Sequence, residues 1–329
     1  EQQQVQVQPG MVLDQLNERL RPHNLFFPVD VSTASRATIG GMSGNNSCGA
    51  RSIHYGIMRD NVLAIDAYLA DGTKINFGPV QANAAATGAS DRYRELITEL
   101  TLLAERESGE IQSKFPALRR RVGGYNIDEL LPRSSPEMAP ANIARLLVGS
   151  EGTLAISTQI TLGLHPIPSH RVLAVCHFDS FYEAMDSTRH IVALNPTAVG
   201  LVDKTMIELS RDIPMFRKTI DQFVRGAPDA LLLVEFAGED HKRLLLDLKH
   251  LDELMADHGF RSRMTAIVDP SQQRALWEVR KAGLNIMMSM KGDGKPISFI
   301  EDCAVPLEHL ADYTARLTEV FSKHGTTGT

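Results

Sequence analysis

The residues best placed to do chemistry in this chain are glycines. From Thr38 the sequence runs Thr38-Ile39-Gly40-Gly41-Met42-Ser43-Gly44-Asn45-Asn46-Ser47-Cys48-Gly49 and continues to His54-Tyr55-Gly56, five glycines among nineteen residues with little bulk between them. A glycine removes the Cβ that keeps a ligand at a distance and tolerates φ > 0, so such a segment can bring its backbone against something flat or anionic. By composition it cannot build a core. A second segment, Gly149-Ser150-Glu151-Gly152-Thr153-Leu154-Ala155-Ile156, directly precedes a run with strand alternation. Two such loops in one domain can clamp an extended ligand, or they can be two tight turns, and composition leaves both readings open.

Three familiar loops do not fit. Gly40-Gly41-Met42-Ser43-Gly44 lacks the G-x-G-x-x-G spacing and has no clean strand before it. Gly292-Asp293-Gly294-Lys295-Pro296 lacks the P-loop spacing, and its proline would stop a following helix. Val148-Gly149-Ser150-Glu151-Gly152 has valine where a nucleophile elbow needs its first glycine. Elsewhere, Leu276-Trp277-Glu278-Val279-Arg280 places a guanidinium early in a helix, where it can grip a planar carboxylate bidentately or simply pair with a surface glutamate while Trp277 packs in the core. His324 reads as a helix C-terminal residue favoured by the dipole. Asp293, Glu301 and Asp302 are acidic neighbours without a histidine at ligand spacing, so no catalytic residue and no metal ligand is assigned.

The elements that must position these residues follow from periodicity. Residues 11–20 have helical spacing, and Val62–Ala70, Asp71-Gly72 and Thr73–Phe77 read as a hairpin. A helix is expected over 91–106 and a strand over about 154–164, with a mixed stretch holding Gly123-Gly124-Tyr125 between them. His165-Pro166-Ile167-Pro168 reads as the domain boundary, giving domains 1–165 and 166–329. Beyond it, strand 172–178, a helix opened by the capping box Ser180–Glu183, strands 198–202 and 231–236, a helix carrying Leu244, Leu248, Leu251 and Met255, and strand 264–268 have the β-α-β-β-α-β order of a ferredoxin-like layer with helices on one face. A helix over 271–290, a strand Ile297–Asp302 and a helix over 306–322 extend it. The fold class is α+β.

Composition bounds the function. With 329 residues the chain holds about two domains. A net charge of −6 argues against nucleic-acid partners, and the basic clusters Arg119-Arg120-Arg121 and Lys242-Arg243 read as solvated faces. The three cysteines, Cys48, Cys176 and Cys303, form no C-x-x-C, which excludes an encoded iron–sulfur or zinc-ribbon site and favours a reducing, cytoplasmic compartment. No run is long enough for a transmembrane helix, which leaves peripheral attachment to the inner membrane and a homo-oligomer open. Both ends read as cut: the first opens on a strand pattern already under way.

Pro28-x-Asp30, Thr38-Ile39-Gly40-Gly41 with Asn46 and Gly49, Tyr55-Gly56, Ala70-Asp71-Gly72 and Gly149-Ser150-Glu151-Gly152-Thr153-Leu154 resemble, in order and spacing, the FAD-linked oxidase family of vanillyl-alcohol oxidases and D-2-hydroxy acid dehydrogenases. The resemblance runs over the whole chain and is closest to bacterial D-2-hydroxyglutarate dehydrogenases fused to an iron–sulfur region. It implies a PCMH-type FAD-binding domain, incomplete at its N-terminus, followed by a ferredoxin-like substrate domain. By position, Pro28, Asp30, Ser32, Thr38, Gly40, Gly41, Asn45, Asn46, Ser47, Gly49, Glu151, Gly152 and Ile156 would bind FAD non-covalently, without a tether from the nearby His54 or Cys48. Arg280 would reach the substrate carboxylate. The implied reaction is oxidation of a D-2-hydroxy acid, first D-2-hydroxyglutarate and otherwise D-lactate or glycolate, by hydride transfer to flavin N5, with a non-catalytic flavin-binding subunit as the alternative. A 4Fe-4S cluster, a divalent metal with its His/Glu ligands and an electron acceptor would belong to the full-length protein. One departure stands out: strand Ile297–Asp302 has no lysine for a second substrate carboxylate, and Lys295 lies just before it.

Overall fold

The computed structural model describes residues 3–80, 90–118, 120–131, 140–290, 296–297, 300 and 303–328. The chain divides into two compact units, Glu1–Ile167 and Pro168–Thr329. Among the described residues no helix is long and apolar enough to cross a membrane.

The first unit runs β1 (Gln4–Val7), α1 (Leu13–Leu20), β2 (Leu25–Phe26), α2 (Ile39–Asn45), α3 (Ser52–Tyr55), α4 (Met58–Asn61), β3 (Val62–Tyr68), β4 (Lys74–Phe77), α5 (Asp91–Lys114), a 3-10 turn Ile127–Leu130, α6 (Ala144–Leu147), β5 (Ile156–Gly163) and β6 (His165–Pro166). Its sheet has the order β1-β5-β3-β4, with antiparallel neighbours throughout. The expected hairpin is β3–β4: Ile65 opposes Phe77 and Ala67 opposes Ile75. Asp71 Oδ1 accepts from Thr73 N at 2.8 Å, and Gly72 takes φ +83° at the turn. Strand alternation puts Ile65, Ile160 and Leu162 inward, against Leu13, Leu16 and Leu20 of α1. Helix α5 outlasts its expected end at 106, because Ile111 is also buried and extends the helix's inward face. The prolines after Leu164 do not abolish pairing: His165–Pro166 bridges Leu25–Phe26, an edge position where the missing proline N–H leaves no ladder bond unmade.

The second unit runs β7 (His170–Phe178), α7 (Phe181–Val192), β8 (Ala198–Asp203), α8 (Lys204–Asp212), α9 (Pro214–Phe223), β9 (Ala230–Gly238), α10 (His241–Asp257), β10 (Met264–Ile267), α11 (Pro270–Lys281), α12 (Gly283–Met288) and α13 (Leu310–Lys323). The sheet order β10-β7-β9-β8, antiparallel at every step, is the ferredoxin-like arrangement. Helices cover both of its faces rather than the expected one. Val172, Ala174, Cys176 and Phe178 pack on one side with α7, α10 and α13, and Leu173, Val175, Leu231 and Leu233 pack on the other with α8, α9, α11 and α12. That is why β7 and β9 read as nearly continuous apolar runs: a strand buried on both faces has no polar side. The added layer comes from α8–α9, inserted where a hairpin would join β8 to β9. Ser180 and Glu183 form the expected capping box on α7. Most of the expected strand Ile297–Asp302 lies outside the described residues.

Candidate functional site

The glycine-rich segment is not a bare loop. Thr38 caps α2, its Oγ1 accepting from Gly41 N at 3.2 Å, and Ile39 and Met42, one helical turn apart, enter the core. Contrary to its composition, the segment does build core, because its few large residues share one face of a short helix. Its first amides are already engaged: Ile39 N donates to Met11 O at 2.8 Å and Gly40 N to Pro9 O at 2.8 Å. The glycines therefore supply space rather than free donors. A Cβ on Gly40 would lie 2.6 Å from Pro9 Cβ, and one on Gly49 would lie 1.6 Å from Asp30 O. Gly41 is exposed, and a Cβ there would meet only Thr38 Oγ1.

The end of α2 meets the second glycine segment. Gly149 N donates to Ser43 O at 2.8 Å and Glu151 N to Gly44 O at 3.0 Å, while Asn45 Nδ2 donates to Glu151 Oε1 at 3.3 Å. Ser47 Oγ donates to Asn45 Oδ1 at 3.0 Å. Asn46, Gly149, Glu151 and Gly152 all have positive φ, so both chains turn sharply where they touch. Beside this junction lies an open cleft of about 310 Å³, walled by Asn45, Val122–Tyr125, Gly149–Glu151 and Thr153. That is the lower end of the size range for small-molecule sites, roughly 300–1,000 Å³. Two buried polar atoms of the α2 end, Ser43 Oγ and Asn46 Nδ2, have no hydrogen-bond partner among the described residues.

The expected cofactor residues separate on this frame. Asn45 and Glu151 lie on the cleft wall. Asn46 is fully buried behind it, and its Oδ1 accepts from Arg59 N at 3.0 Å. Asp30 holds the loop, accepting from Arg51 N at 3.0 Å. Pro28 is buried, Ser32 is exposed, and Ile156 opens β5 with 73% of its surface exposed; none of the three lines the cleft.

The sequence reading passed over the third wall, Val122–Tyr125, and the polar residues that flank it. Arg121 is not on a solvated face: its Nη2 reaches Asp128 Oδ1 at 2.5 Å and Asn126 Oδ1 at 3.3 Å, and its guanidinium lies 4.7 Å from the centre of the Phe115 ring. Arg59 Nη1 joins the same pair of acceptors. Asn126 Nδ2 donates to Val148 O at 2.8 Å, tying this wall to the second glycine segment. Tyr125 Oη and Thr153 Oγ1, 2.8 Å apart, close the cleft at one side. Two guanidiniums share the Asp128 carboxylate, and Arg59 also pairs with Asp60 at 3.8 Å, so the group's charges are balanced beside the cleft. The pair Gly123-Gly124 before Tyr125 was the signal available in the sequence. Arg120 Nη2 contacts Cys48 Sγ at 2.7 Å, while Arg119 lies outside the described residues.

In the second unit Arg280 makes no ion pair among the described residues; Lys281, not Arg280, pairs with Glu278. Arg280 keeps solvent access, yet burial by the surrounding protein lowers its pKa, opposed by the Asp203 charge. Asp203 caps α8, accepting from Met206 N at 2.9 Å, and burial raises its pKa. Trp277 Nε1 donates to Glu235 Oε2 at 3.1 Å. Among the described residues no group of three or more His, Cys, Asp or Glu could hold a metal ion. Asp293, Lys295, Glu301 and Asp302 lie outside them.

Residues 1–78 match the family described as FAD binding domain, and residues 167–329 match FAD linked oxidases, C-terminal domain. The chain is 33% identical over 337 residues to the D-2-hydroxyglutarate dehydrogenase of Escherichia coli K12, covering 98% of this chain and 32% of that protein. It is 27% identical over 317 residues to the mitochondrial D-lactate dehydrogenase [cytochrome] of Arabidopsis thaliana, covering 96% and 44%. Among solved structures, an alkyldihydroxyacetonephosphate synthase shares the fold with a TM-score of 0.56 at 15% identity, over 87% of this chain and 43% of that one. The chain thus spans about a third of the length of the curated D-2-hydroxyglutarate dehydrogenase it matches.

Proposed function

The chain belongs to the FAD-linked oxidase family, and from that premise we propose that it is the flavin- and substrate-binding part of a D-2-hydroxy acid dehydrogenase, with D-2-hydroxyglutarate as substrate. One observation carries the proposal. Backbone bonds from Gly149 and Glu151 to Ser43 and Gly44 join two glycine-rich segments a hundred residues apart into one cleft wall. Two isolated turns would have no need of that junction.

The residues present suit part of a dinucleotide. Gly123, Gly124 and Gly149 on the cleft wall give a planar ring room to approach, and Ser43 Oγ and Asn46 Nδ2 have no partner among the described residues. Asn45 and Glu151 would hold the cofactor from the two facing segments, while Gly40 and Gly49 let Pro9 and Asp30 pack closely against the first segment and so support it. Bound FAD would supply the hydride acceptor. Arg280 would hold the substrate's C1 carboxylate through two parallel N–H···O bonds, which fixes the carbon bearing the hydroxyl. Its partial enclosure strengthens that grip relative to a fully solvated guanidinium. The base for the hydroxyl proton has no assignment among the described residues.

Visible absorbance of the purified full-length protein tests the cofactor, and absence of a flavin band refutes it. Anaerobic bleaching by D-2-hydroxyglutarate, compared with D-lactate, glycolate and the L-enantiomers, tests the reaction. Bleaching by D-lactate alone would select the second reading, which the lack of a lysine in Ile297–Asp302 favours. No bleaching by any D-2-hydroxy acid would leave a flavin-binding subunit.

A further inference from the structure

Glu235 is 2% exposed, an ionisable group in the middle of a sheet buried on both faces. A carboxyl group is costly to bury without a hydrogen-bond partner. Its position on β9 continues the row Leu231–Leu233, which faces α11. Glu235 Oε2 accepts from Trp277 Nε1 at 3.1 Å. On the neighbouring strand β8, Gly200, opposite Leu233, leaves space for the indole: a Cβ there would lie 3.2 Å from Trp277 Cζ3. Trp277 and Arg280 are one turn apart on α11, so whatever fixes the indole fixes the azimuth from which the guanidinium projects.

The rest of α11 is anchored with similar care. Asp269 caps it, accepting from Ser271 N and Gln272 N at 3.0 and 2.9 Å. Gln273, buried, donates from Nε2 to both Arg171 O and Ile267 O at 2.9 and 3.0 Å. These contacts hold the start of the helix. The indole bond holds its end, where Arg280 is, and α12 begins only two residues after α11 stops. A hydrocarbon in place of Glu235 would fill the same volume without directing the indole.

We propose that Glu235 is a positioning residue: through its hydrogen bond to the Trp277 indole, seated over Gly200, it sets the direction of Arg280 for the substrate carboxylate. The inference rests on the reading of Arg280 given above. Trp277 is the sole tryptophan of these 329 residues, so the difference between the spectra of the unaltered protein and of Trp277→Phe isolates its environment in the full-length protein, without activity.

The test uses the full-length flavoprotein and three variants: Glu235→Gln, which keeps an acceptor; Glu235→Ala, which removes it; and Trp277→Phe, which removes the donor. Glu235→Ala should shift the emission maximum and near-ultraviolet dichroism of Trp277, and Glu235→Gln should restore most of both. With the 2-hydroxy acid that reduces the unaltered protein, Glu235→Ala and Trp277→Phe should each raise KM about tenfold, the scale of one lost hydrogen bond to a charged group. Flavin content should be unchanged and kcat far less affected. Glu235→Gln should recover KM. If Glu235→Ala fails to fold, Trp277→Phe carries the comparison. Unaltered KM in Trp277→Phe, or a Glu235→Gln protein no better than Glu235→Ala, overturns the proposal. Failure of any 2-hydroxy acid to reduce the unaltered protein overturns the functional reading instead, and the tryptophan spectra still decide whether the bond exists.

Discussion

Gly149 and Gly72 allow the close approach of the two glycine-rich segments to be weighed against backbone conformation alone. Both have left-handed φ, +84° and +83°. A Cβ on Gly72 meets nothing within 4 Å, whereas one on Gly149 would lie 3.1 Å from Gly124 O and 3.3 Å from Asn46 Cβ. Alanine at either site bears the left-handed penalty of about 1–2 kcal/mol. Gly149→Ala also forces the Gly124 and Asn46 walls apart, an overpacking cost of about 1–3 kcal/mol. At about 2–4 °C per kcal/mol for a unit of this size, Gly72→Ala should lower Tm by about 2–8 °C and Gly149→Ala by about 4–20 °C. The cofactor separates them further: Gly72→Ala should purify with full flavin content, and Gly149→Ala with much less, because the wall that moves is the cleft wall. Thermal melts and flavin-to-protein absorbance ratios of the two variants make the comparison. Equal Tm losses with equal flavin content would refute the argument, since the junction of the two segments would then have no bearing on the cofactor.

Arg280→Lys keeps the charge but loses the planar fork, and should raise KM for the 2-hydroxy acid about tenfold to a hundredfold with flavin content intact; steady-state kinetics beside absorbance check it, and loss of flavin would make Arg280 structural. His177 is buried, with Nδ1 2.9 Å from Arg263 O and Nε2 accepting from Arg225 N at 3.1 Å, so the folded state holds it neutral and burial lowers its pKa. A folded pKa below the ordinary 6.5 means that the unfolded chain binds more protons in the interval, so this contribution to stability is complete above about pH 6.5 and is lost as pH falls toward the folded value. Denaturant unfolding at pH 7.5 and 5.5 should reveal the loss, and His177→Gln should flatten it; an unchanged slope would exclude His177 as its source. Burial pushes the Cys176 thiol up to about 12, while Cys303 is exposed. Iodoacetamide under native conditions should therefore modify Cys303 and spare Cys176 until the protein unfolds, as peptide mapping would reveal.

The layers of the fold were legible where period and turn chemistry agreed. Asp71-Gly72 marked the hairpin, and Ser180–Glu183 marked the start of α7, because each motif satisfies local backbone groups whatever surrounds it. The second helical layer of the C-terminal unit was not legible as a layer. Leu173, Val175, Leu231 and Leu233 do not say which element covers them, and α8–α9 enter between two strands that the ferredoxin-like pattern joins directly. Helix α5 was read short for a related reason: Ile111 joins the helix's buried face five residues past the expected end. The proline pair after Leu164 was read as a break, although a two-residue edge bridge needs only what Pro166 still offers.

For the site, glycine spacing located the segments but misassigned what they provide. Gly40 N and Gly41 N are engaged with Pro9 O and Thr38 Oγ1, so neither can serve as the free anion donor that a glycine-rich loop suggests. Their contribution is clearance, and clearance depends on partners far away in sequence, Pro9 for Gly40 and Asp30 for Gly49. The polar work falls instead to side chains the spacing did not mark. Asn126 joins the third wall to the second glycine segment, and Asp128 holds Arg59 and Arg121 together. Within the triplet Arg119-Arg120-Arg121, Arg121 looks solvated in sequence because its acceptors, Asp128 and Asn126, follow in an unpatterned turn. Folding that turn back onto Phe115 converts Arg121 from a surface charge into a support flanking the cleft wall at 122–125, and this is why the proposed cofactor site is half visible in its glycines and half hidden in the turn that follows the arginines.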